Sequence, residues 1–209
     1  MADCYLGSTT RTNSYGPDPE FAKQFETSAN QHQLVVSGGF DGYSRGHQIP
    51  SNDRTASEGD NETTFYATNM TPQLSSLNNG AWQQLETQIH DKWCSTTDTL
   101  YVVTGAHFDK GNTTTTREKN GTRAIPVPTH YWKVLLSKRP GVSANKPVWE
   151  CTEDDLRCIG FIFDHAAGSW SWTSSACTVE EVEALTEFSF FANVPAAPKS
   201  KFIRTDWDF

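Results

Sequence analysis

Three short stretches gather side chains able to do chemistry: Ser44-Arg45-Gly46-His47-Gln48-Ile49-Pro50, Thr68-Asn69-Met70-Thr71-Pro72-Gln73, and Leu77-Asn78-Asn79-Gly80-Ala81-Trp82-Gln83-Gln84-Leu85-Glu86. The first places an imidazole beside a guanidinium. The third places an amide and a carboxylate on what reads as one helix. From Asn78 to Glu86 is a little over two helical turns, about 12 Å of rise, so the two face the same way. Helical side chains lean toward the N-terminus, which lets Glu86 point back toward Asn78. An amide oxygen and a carboxylate are hard donors of the kind Mg²⁺ takes while keeping most of its waters. A histidine, an arginine and a hard metal site together suit hydrolysis of a phosphodiester.

The three stretches resemble the signature of the DNA/RNA non-specific endonuclease family, a group of ββα-metal (His-Me finger) nucleases. That signature reads D-R-G-H-x-x-P, then S/T-N-x-x-P-Q, then L-N-x-G-x-W-x-x-L-E, and it runs here in order from Arg45 to Glu86. Weaker similarity covers Tyr101–Gly105, Pro126–Lys133 and Phe190–Pro195. The resemblance implies an α+β fold with a central antiparallel sheet flanked by helices, His47 near a strand end and Asn78 on the crossing helix. It also implies a Mg²⁺-dependent endonuclease, with Mn²⁺ able to substitute, that cuts DNA and RNA to 5′-phosphate and 3′-hydroxyl ends.

Residue by residue, the resemblance makes His47 the general base that deprotonates the attacking water, a neutral imidazole with a pKa of about 7. Asn78 becomes the direct protein ligand to the metal, a role compatible with its also capping the helix. Glu86 orients metal-bound water. Asn69 supports the histidine or the phosphate. Arg45 meets the phosphate or braces the loop. Arg11, within Thr10–Tyr15, resembles an upstream family arginine that contacts the transferred phosphate. A guanidinium fork holds two phosphate oxygens at once, which an ammonium does not. The sequence departs from the pattern at Ser44, where the family has Asp, and at His90, where several relatives carry Arg. No W-V-A-Y-like run precedes Arg11, so the family's N-terminal strands are expected to be missing. That absence favours a second class, a catalytically silent relative binding nucleic acid or a partner protein. Intact His47, Asn78 and Glu86 favour the enzyme.

These residues need a scaffold. Residues 1–64 read as long surface loops around one short strand, Gln33–Val36. Phe65–Asn69 alternates as a second strand. Leu77, Trp82, Leu85, Ile89 and Trp93 recur at helical spacing, giving an amphipathic helix over 77–92 with Trp82 on its buried face. Thr99–Phe108 is a strand in which Gly105 marks a bend or bulge. Gly111–Thr122 reads as a mobile loop. Tyr131–Ser137 and Cys158–Asp164 are strands of an antiparallel core sheet. Thr178 and Glu181 form a capping box that opens the last helix. Residues 196–209 read as a loosely attached tail of a single domain spanning 1–209.

Composition sets the remaining bounds. The 209 residues are 36% hydrophobic, 20% charged and 12% aromatic, which excludes a disordered tail and a coiled coil. No apolar stretch approaches the roughly 20 residues of a membrane span, so no membrane partner is expected. Met1–Thr10 lacks the basic-then-apolar layout of a signal peptide; the expected location is secreted or periplasmic, with the export signal absent from this chain. The formal net charge is −8. Lys110, Arg117, Lys119, Arg123, Lys133, Lys138, Arg139 and Lys146 nevertheless concentrate in 109–146, a local basic region that could meet a polyanion such as DNA or RNA. Cys4, Cys94, Cys151, Cys158 and Cys177 include no CxxC pair, which argues against structural zinc. Cys151 and Cys158 could bridge a hairpin or lie buried as small hydrophobes. The sequence leaves a homodimer open.

Overall fold

A computed structural model describes residues 7–20, 39–97, 99–117, 124–168 and 171–209. Two short antiparallel pairs accompany a four-stranded antiparallel sheet. The first pair is β1 (Ser44–His47) with β2 (Met70–Gln73). The sheet contains β3 (Leu100–His107), then, beyond the second pair β4 (Thr115–Arg117) and β5 (Ala124–Pro126), β6 (His130–Lys138), β7 (Leu156–Asp164) and β8 (Ala176–Cys177). Its strand order is β3-β6-β7-β8.

Strand β6 lies between β3 and β7 and is buried along almost its whole length. Its side chains alternate between two cores, as the period of two requires. Tyr131 and Leu135, with Ile159, Phe161 and Phe163 of β7, face a helical run over 75–96, called α2. Trp132, Val134 and Leu136 face the other way, onto Val179 and Val182 of helix α3 (Val179–Thr186) and onto Phe190 and Val194. The α3 capping box forms as expected: Thr178 Oγ1 accepts from Glu181 N at 3.2 Å and Thr178 N donates to Glu181 Oε2 at 2.7 Å.

Helix α2 buries Leu77, Ala81, Trp82, Leu85, Ile89 and Trp93, the apolar stripe expected over 77–92. It is not a straight α-helix. Ser75–Leu77, Gln83–Thr87 and Cys94–Thr96 are α-helical, whereas Asn78–Trp82 and Gln88–Trp93 are widened to π-type turns. Gly80 leaves helical geometry altogether, at φ −110° and ψ −118°. The widening falls on the residues between Asn78 and Trp82, so ideal two-turn spacing does not describe the Asn78–Glu86 pair. Single-turn π-bulges of this kind often accompany functional sites.

Several expectations are corrected. Phe65–Asn69 is not a strand: the Thr64, Phe65 and Asn69 amides each bond three residues back, closing tight turns, and extension begins only at Met70. Residues 1–64 are not only loops, since Ser57 caps a short helix α1 (Glu58–Thr63) by accepting from Asp60 N at 3.1 Å. The strand expected at Gln33–Val36 lies outside the described residues. Gly105 makes no bulge, because β3–β6 pairing runs unbroken from Leu100↔Ser137 to His107↔His130. Its value is space: a Cβ there would stand 2.4 Å from the Trp132 ring. Part of the loop expected over Gly111–Thr122 is β4, whose Thr116 hydroxyl donates to the Asp41 carbonyl at 2.7 Å. Cys151, Cys158 and Cys177 are free thiols, with Cys151 and Cys158 buried rather than bridged.

The tail expected to be loose over 196–209 is anchored. Trp207 is fully buried and packs edge-on against Trp93 at 5.0 Å between ring centres. The Arg157 guanidinium lies 4.5 Å from the centre of its ring and donates to the Asp206 carbonyl. Indole burial of this kind is a large apolar contribution that a loose tail would forfeit. Trp207→Ala should therefore cost about 3–5 kcal/mol. The check is a lowered urea midpoint at constant slope; a cost below about 1 kcal/mol would show the tail to be peripheral.

Candidate active site

The β1–β2 pair carries the first two signature stretches side by side, in the register Ser44↔Gln73, Arg45↔Pro72, Gly46↔Thr71 and His47↔Met70. Gly46 is required by packing: a Cβ at this position would lie 2.6 Å from both Cβ and Oε1 of buried Gln73. The pair docks on the core sheet through polar contacts. Tyr131 Oη donates to the Pro72 carbonyl at 2.9 Å, and Leu74 N donates to His165 Nε2 at 2.7 Å. His165 Nδ1 in turn donates to the Pro128 carbonyl at 2.7 Å, which fixes its neutral tautomer. Leu74 directly precedes α2, so His165 clamps the start of the helix that carries Asn78. The Ser44 and Ser75 hydroxyls share a hydrogen bond of 2.9 Å across the same junction. Serine at position 44 thus links strand to helix.

A cleft of about 550 Å³ opens between β1, the 51–53 turn, α2 and the N-terminal segment. Arg11, Arg45, His47, Asn78 and Glu86 all line it. Five of the six expected site residues therefore meet in one place.

His47 ends β1 with its ring edge-on to buried Phe65, 5.3 Å between centres. Its Nδ1 stands 3.2 Å from the Arg45 carbonyl oxygen, which can only accept. The proton therefore sits on Nδ1, and Nε2 keeps its lone pair. Nε2 is shielded and has no hydrogen-bond partner among the described residues. Burial, with the Arg11 and Arg45 charges, pulls the His47 pKa from the ordinary 6.5 to about 4, against a smaller upward pull from its hydrogen bond to the Arg45 carbonyl. The value expected from sequence was about 7; partial dehydration and two cations account for the difference.

Phe65 also organises the cations. Tyr15 packs edge-on to it at 5.0 Å, and the Arg11 guanidinium lies 4.7 Å from its ring centre. Arg11 is held further by Ser51 Oγ at 3.0 Å and Asn13 Oδ1 at 2.9 Å. The Arg45 guanidinium lies 3.8 Å from the centre of the Tyr15 ring.

Asn69 is the exception. Its side chain does not line the cleft. Oδ1 accepts from Ile49 N at 2.9 Å, and Nδ2 donates to the carbonyls of Ile49 and Thr64 at 2.9 and 2.8 Å. Its hydrogen bonds bolt down the loop that leaves His47, so its support of the histidine is indirect.

On α2, Asn78 Nδ2 donates to Asn79 Oδ1 at 2.9 Å. Helix capping by the Asn78 side chain is not seen; the residue lies inside the helical run. Glu86 Oε1 is buried without a hydrogen-bond partner among the described residues, 3.8 Å from Lys133 Nζ. Burial raises its pKa to about 7; Lys133 opposes that rise and nearby Asp53 adds to it. His90, one turn on, contacts Asp53 Oδ1 through Nδ1 at 3.2 Å. Trp82 is core as expected, packed against Tyr131 and Phe163. Sequence reasoning missed Lys133 and Asp53 as part of this neighbourhood. A lysine in the middle of an apolar strand pattern was the available signal.

The basic region expected over 109–146 is not a continuous cationic face. Lys133 and Lys138 are buried, the latter donating to the carbonyls of Ser143, Ala144 and Lys146. Lys110, Arg139 and Lys146 pair with Glu187, Asp206 and Asp155. Lys119 and Arg123 lie outside the described residues.

A short antiparallel pair leading into a helix, with an imidazole at the strand end and an amide on the helix, is the ββα-metal arrangement, and the mixed fold around it agrees. The chain belongs to the DNA/RNA non-specific endonuclease family, whose model it matches over residues 4–197. It is 29% identical over 196 residues to a nuclease of Nostoc sp., covering 91% of this chain and 64% of that protein. It is 32% identical over 167 residues to a nuclease of Serratia marcescens, covering 75% and 55%. With the mitochondrial nuclease EXOG of Danio rerio it shares 32% over 140 residues, covering 64% and 39%. The chain thus spans less than two thirds of the length of each of these relatives. A solved chain from a complex of EndoG with EndoGI superposes with a TM-score of 0.55 at 23% identity, over 73% of this chain and 60% of that one, which shows the shared fold.

The His47 environment has a consequence for stability. The unfolded imidazole takes a proton near pH 6.5, the folded one only near 4, so the unfolded state binds more protons between those values. Stability contributed by this site is therefore present above pH 6.5 and lost as pH falls toward 4. Urea midpoints of the wild type and His47→Gln, compared at pH 7.0 and about pH 4.5, should converge or cross at the lower pH. A constant difference would mean that His47 is not held neutral.

Proposed function

We propose that this chain is a metal-dependent, sugar-non-specific endonuclease that hydrolyses phosphodiester bonds of DNA and RNA. The observation that carries the reading is His47: an imidazole with its proton fixed on Nδ1 and a bare Nε2, in the same cleft as Asn78, Glu86 and two arginines. In that role Nε2 accepts the proton of the attacking water, and the Arg45 carbonyl steadies the imidazolium that results. A base with a pKa of about 4 is weak, but its weakness comes partly from Arg11 and Arg45. A bound phosphodiester brings a negative charge between these cations and offsets them, so the imidazole gains basicity when substrate is present. Arg11 and Arg45 then grip phosphate oxygens, while Phe65 and Tyr15 hold the two guanidinium groups in place.

The cleft also suits a hard cation. Among the described residues no group of three or more His, Cys, Asp or Glu side chains could hold a metal. The donor to the ion here is instead the Asn78 amide oxygen, with the Glu86 carboxylate lining the same cleft and its Oε1 buried without a hydrogen-bond partner among the described residues. Oxygen donors so few in number suit Mg²⁺, which retains most of its waters, with Mn²⁺ as a substitute. Asn78 would hold the ion and Glu86 would orient its water. When bound, the ion supplies Lewis-acid neutralisation of charge on the phosphate and leaving oxygen.

Plasmid nicking tests the reading. The wild type should convert supercoiled DNA to open circles with Mg²⁺ and stop on addition of EDTA. His47→Ala should lose about 10² or more in turnover while still binding DNA. Retention of half the activity by the variant would remove His47 as the base.

Product chemistry provides a separate test. The proposed nucleophile is external water, so RNA should be cut to 5′-phosphate and 3′-hydroxyl ends, as DNA is. Cyclic 2′,3′-phosphate on digested RNA would mean the 2′-hydroxyl had attacked, and the water mechanism would fail.

A further inference from the structure

Of the two lysines that β6 buries, Lys133 lies on the same face as Tyr131 and Leu135. Lys133 is 1% exposed. Its Nζ donates to Thr104 Oγ1 at 3.2 Å and to the Gln48 carbonyl at 3.3 Å, lies 3.8 Å from Glu86 Oε1, and sits 4.1 Å from the centre of the Trp82 ring. Gln48 directly follows His47. Glu86 comes from α2, across the cleft. One ammonium on the core sheet therefore contacts the backbone beside the base and the carboxylate opposite it. Lys133 does not itself line the cleft. It reaches both groups from behind.

Burial of an ammonium is costly, and an apolar side chain of similar volume would fit this sheet face at less cost. Two of the partners that offset the cost, the Gln48 carbonyl and the Glu86 carboxylate, belong to the surroundings of the cleft rather than to the core sheet. We propose that Lys133 is a positioning residue for the hydrolytic site: its ammonium ties the loop after His47 to the Glu86 carboxylate, setting the separation of the two and supplying Glu86 with its counter-charge. The assignment rests on the nuclease reading above.

The test compares wild type, Lys133→Met and Lys133→Arg in the full chain. Initial nicking rates at saturating Mg²⁺ and neutral pH yield kcat and KM. Lys133→Met should lower kcat by tenfold or more and leave KM within about threefold, because the two walls shift relative to one another while the grip on the substrate stays. Lys133→Arg, which keeps the charge, should recover part of that kcat. A kcat within about twofold of wild type in folded Lys133→Met, or a rise in KM that matches the fall in kcat, would overturn the proposal. If Lys133→Met does not fold, Lys133→Gln is read in its place against the same two outcomes. A wild type with no nicking activity would instead overturn the nuclease reading; backbone amide resonances of residues 47–49 and 85–87, expected to move together in Lys133→Met while those of α3 stay, would still judge the Lys133 link.

Discussion

A two-stranded ribbon with four residues in each strand has no stability of its own in water. His47 nevertheless sits at the end of such a ribbon, and the site depends on how it is held. Strands β6 and β7 and the residue after them supply the grip: Tyr131 takes the Pro72 carbonyl, His165 takes the Leu74 amide, and Lys133 takes the Gln48 carbonyl. Each contact satisfies a backbone group of the β1–β2 region with a side chain fixed on or beside the core sheet. Burial on both faces makes that sheet a rigid reference. The base, the start of α2 and the cleft carboxylate are therefore all measured from one sheet, through β6 and the end of β7.

Charge is arranged in layers around this frame. Arg11 and Arg45 stand in the cleft, supported on aromatic rings. Glu86 and Asp53 lie deeper, with the Lys133 ammonium acting on both. The outer layer can receive a polyanion even though the chain as a whole carries a formal charge of −8, because attraction depends on local field rather than on the sum. Among the described residues of 109–146, Lys110, Lys133, Lys138, Arg139 and Lys146 are absorbed in pairs or burial, whereas Arg11 and Arg45 line the cleft.

The signature residues were legible in sequence because their meaning is local. Arg45, Gly46, His47, Asn78 and Glu86 fall within about forty positions, and the stripe from Leu77 to Trp93 announces the helix that aligns two of them. Residues whose role depends on distant partners were not legible. Lys133 takes its place from Gln48, Thr104 and Glu86, all remote in the chain. Asn69 could be recognised by motif, but not as a bolt on Ile49 and Thr64. Phe65 alternates like a strand residue, yet tight-turn hydrogen bonds claim its backbone. Trp207 looked peripheral for want of a periodic neighbour, while its partners are Trp93 and Arg157. The widening of α2 at Gly80 is a backbone event that no hydrophobic pattern encodes.

Contact between Trp93 and Trp207 also bears on how the chain is born. The two residues are 114 positions apart (207 − 93). At about 5–20 residues per second, a ribosome needs on the order of ten seconds to travel between them. Throughout that interval the aromatic end of α2 has emerged, but the residue that seals it has not. Phe161 arrives partway and can cover one face by stacking on Trp93, at 6.3 Å between ring centres. Trp172 follows, edge-on at 5.8 Å, and the remaining contact waits for Trp207. Nascent protein thus presents a tryptophan-rich surface for seconds, the kind of exposure that general chaperones intercept, until Trp207 completes the aromatic cluster.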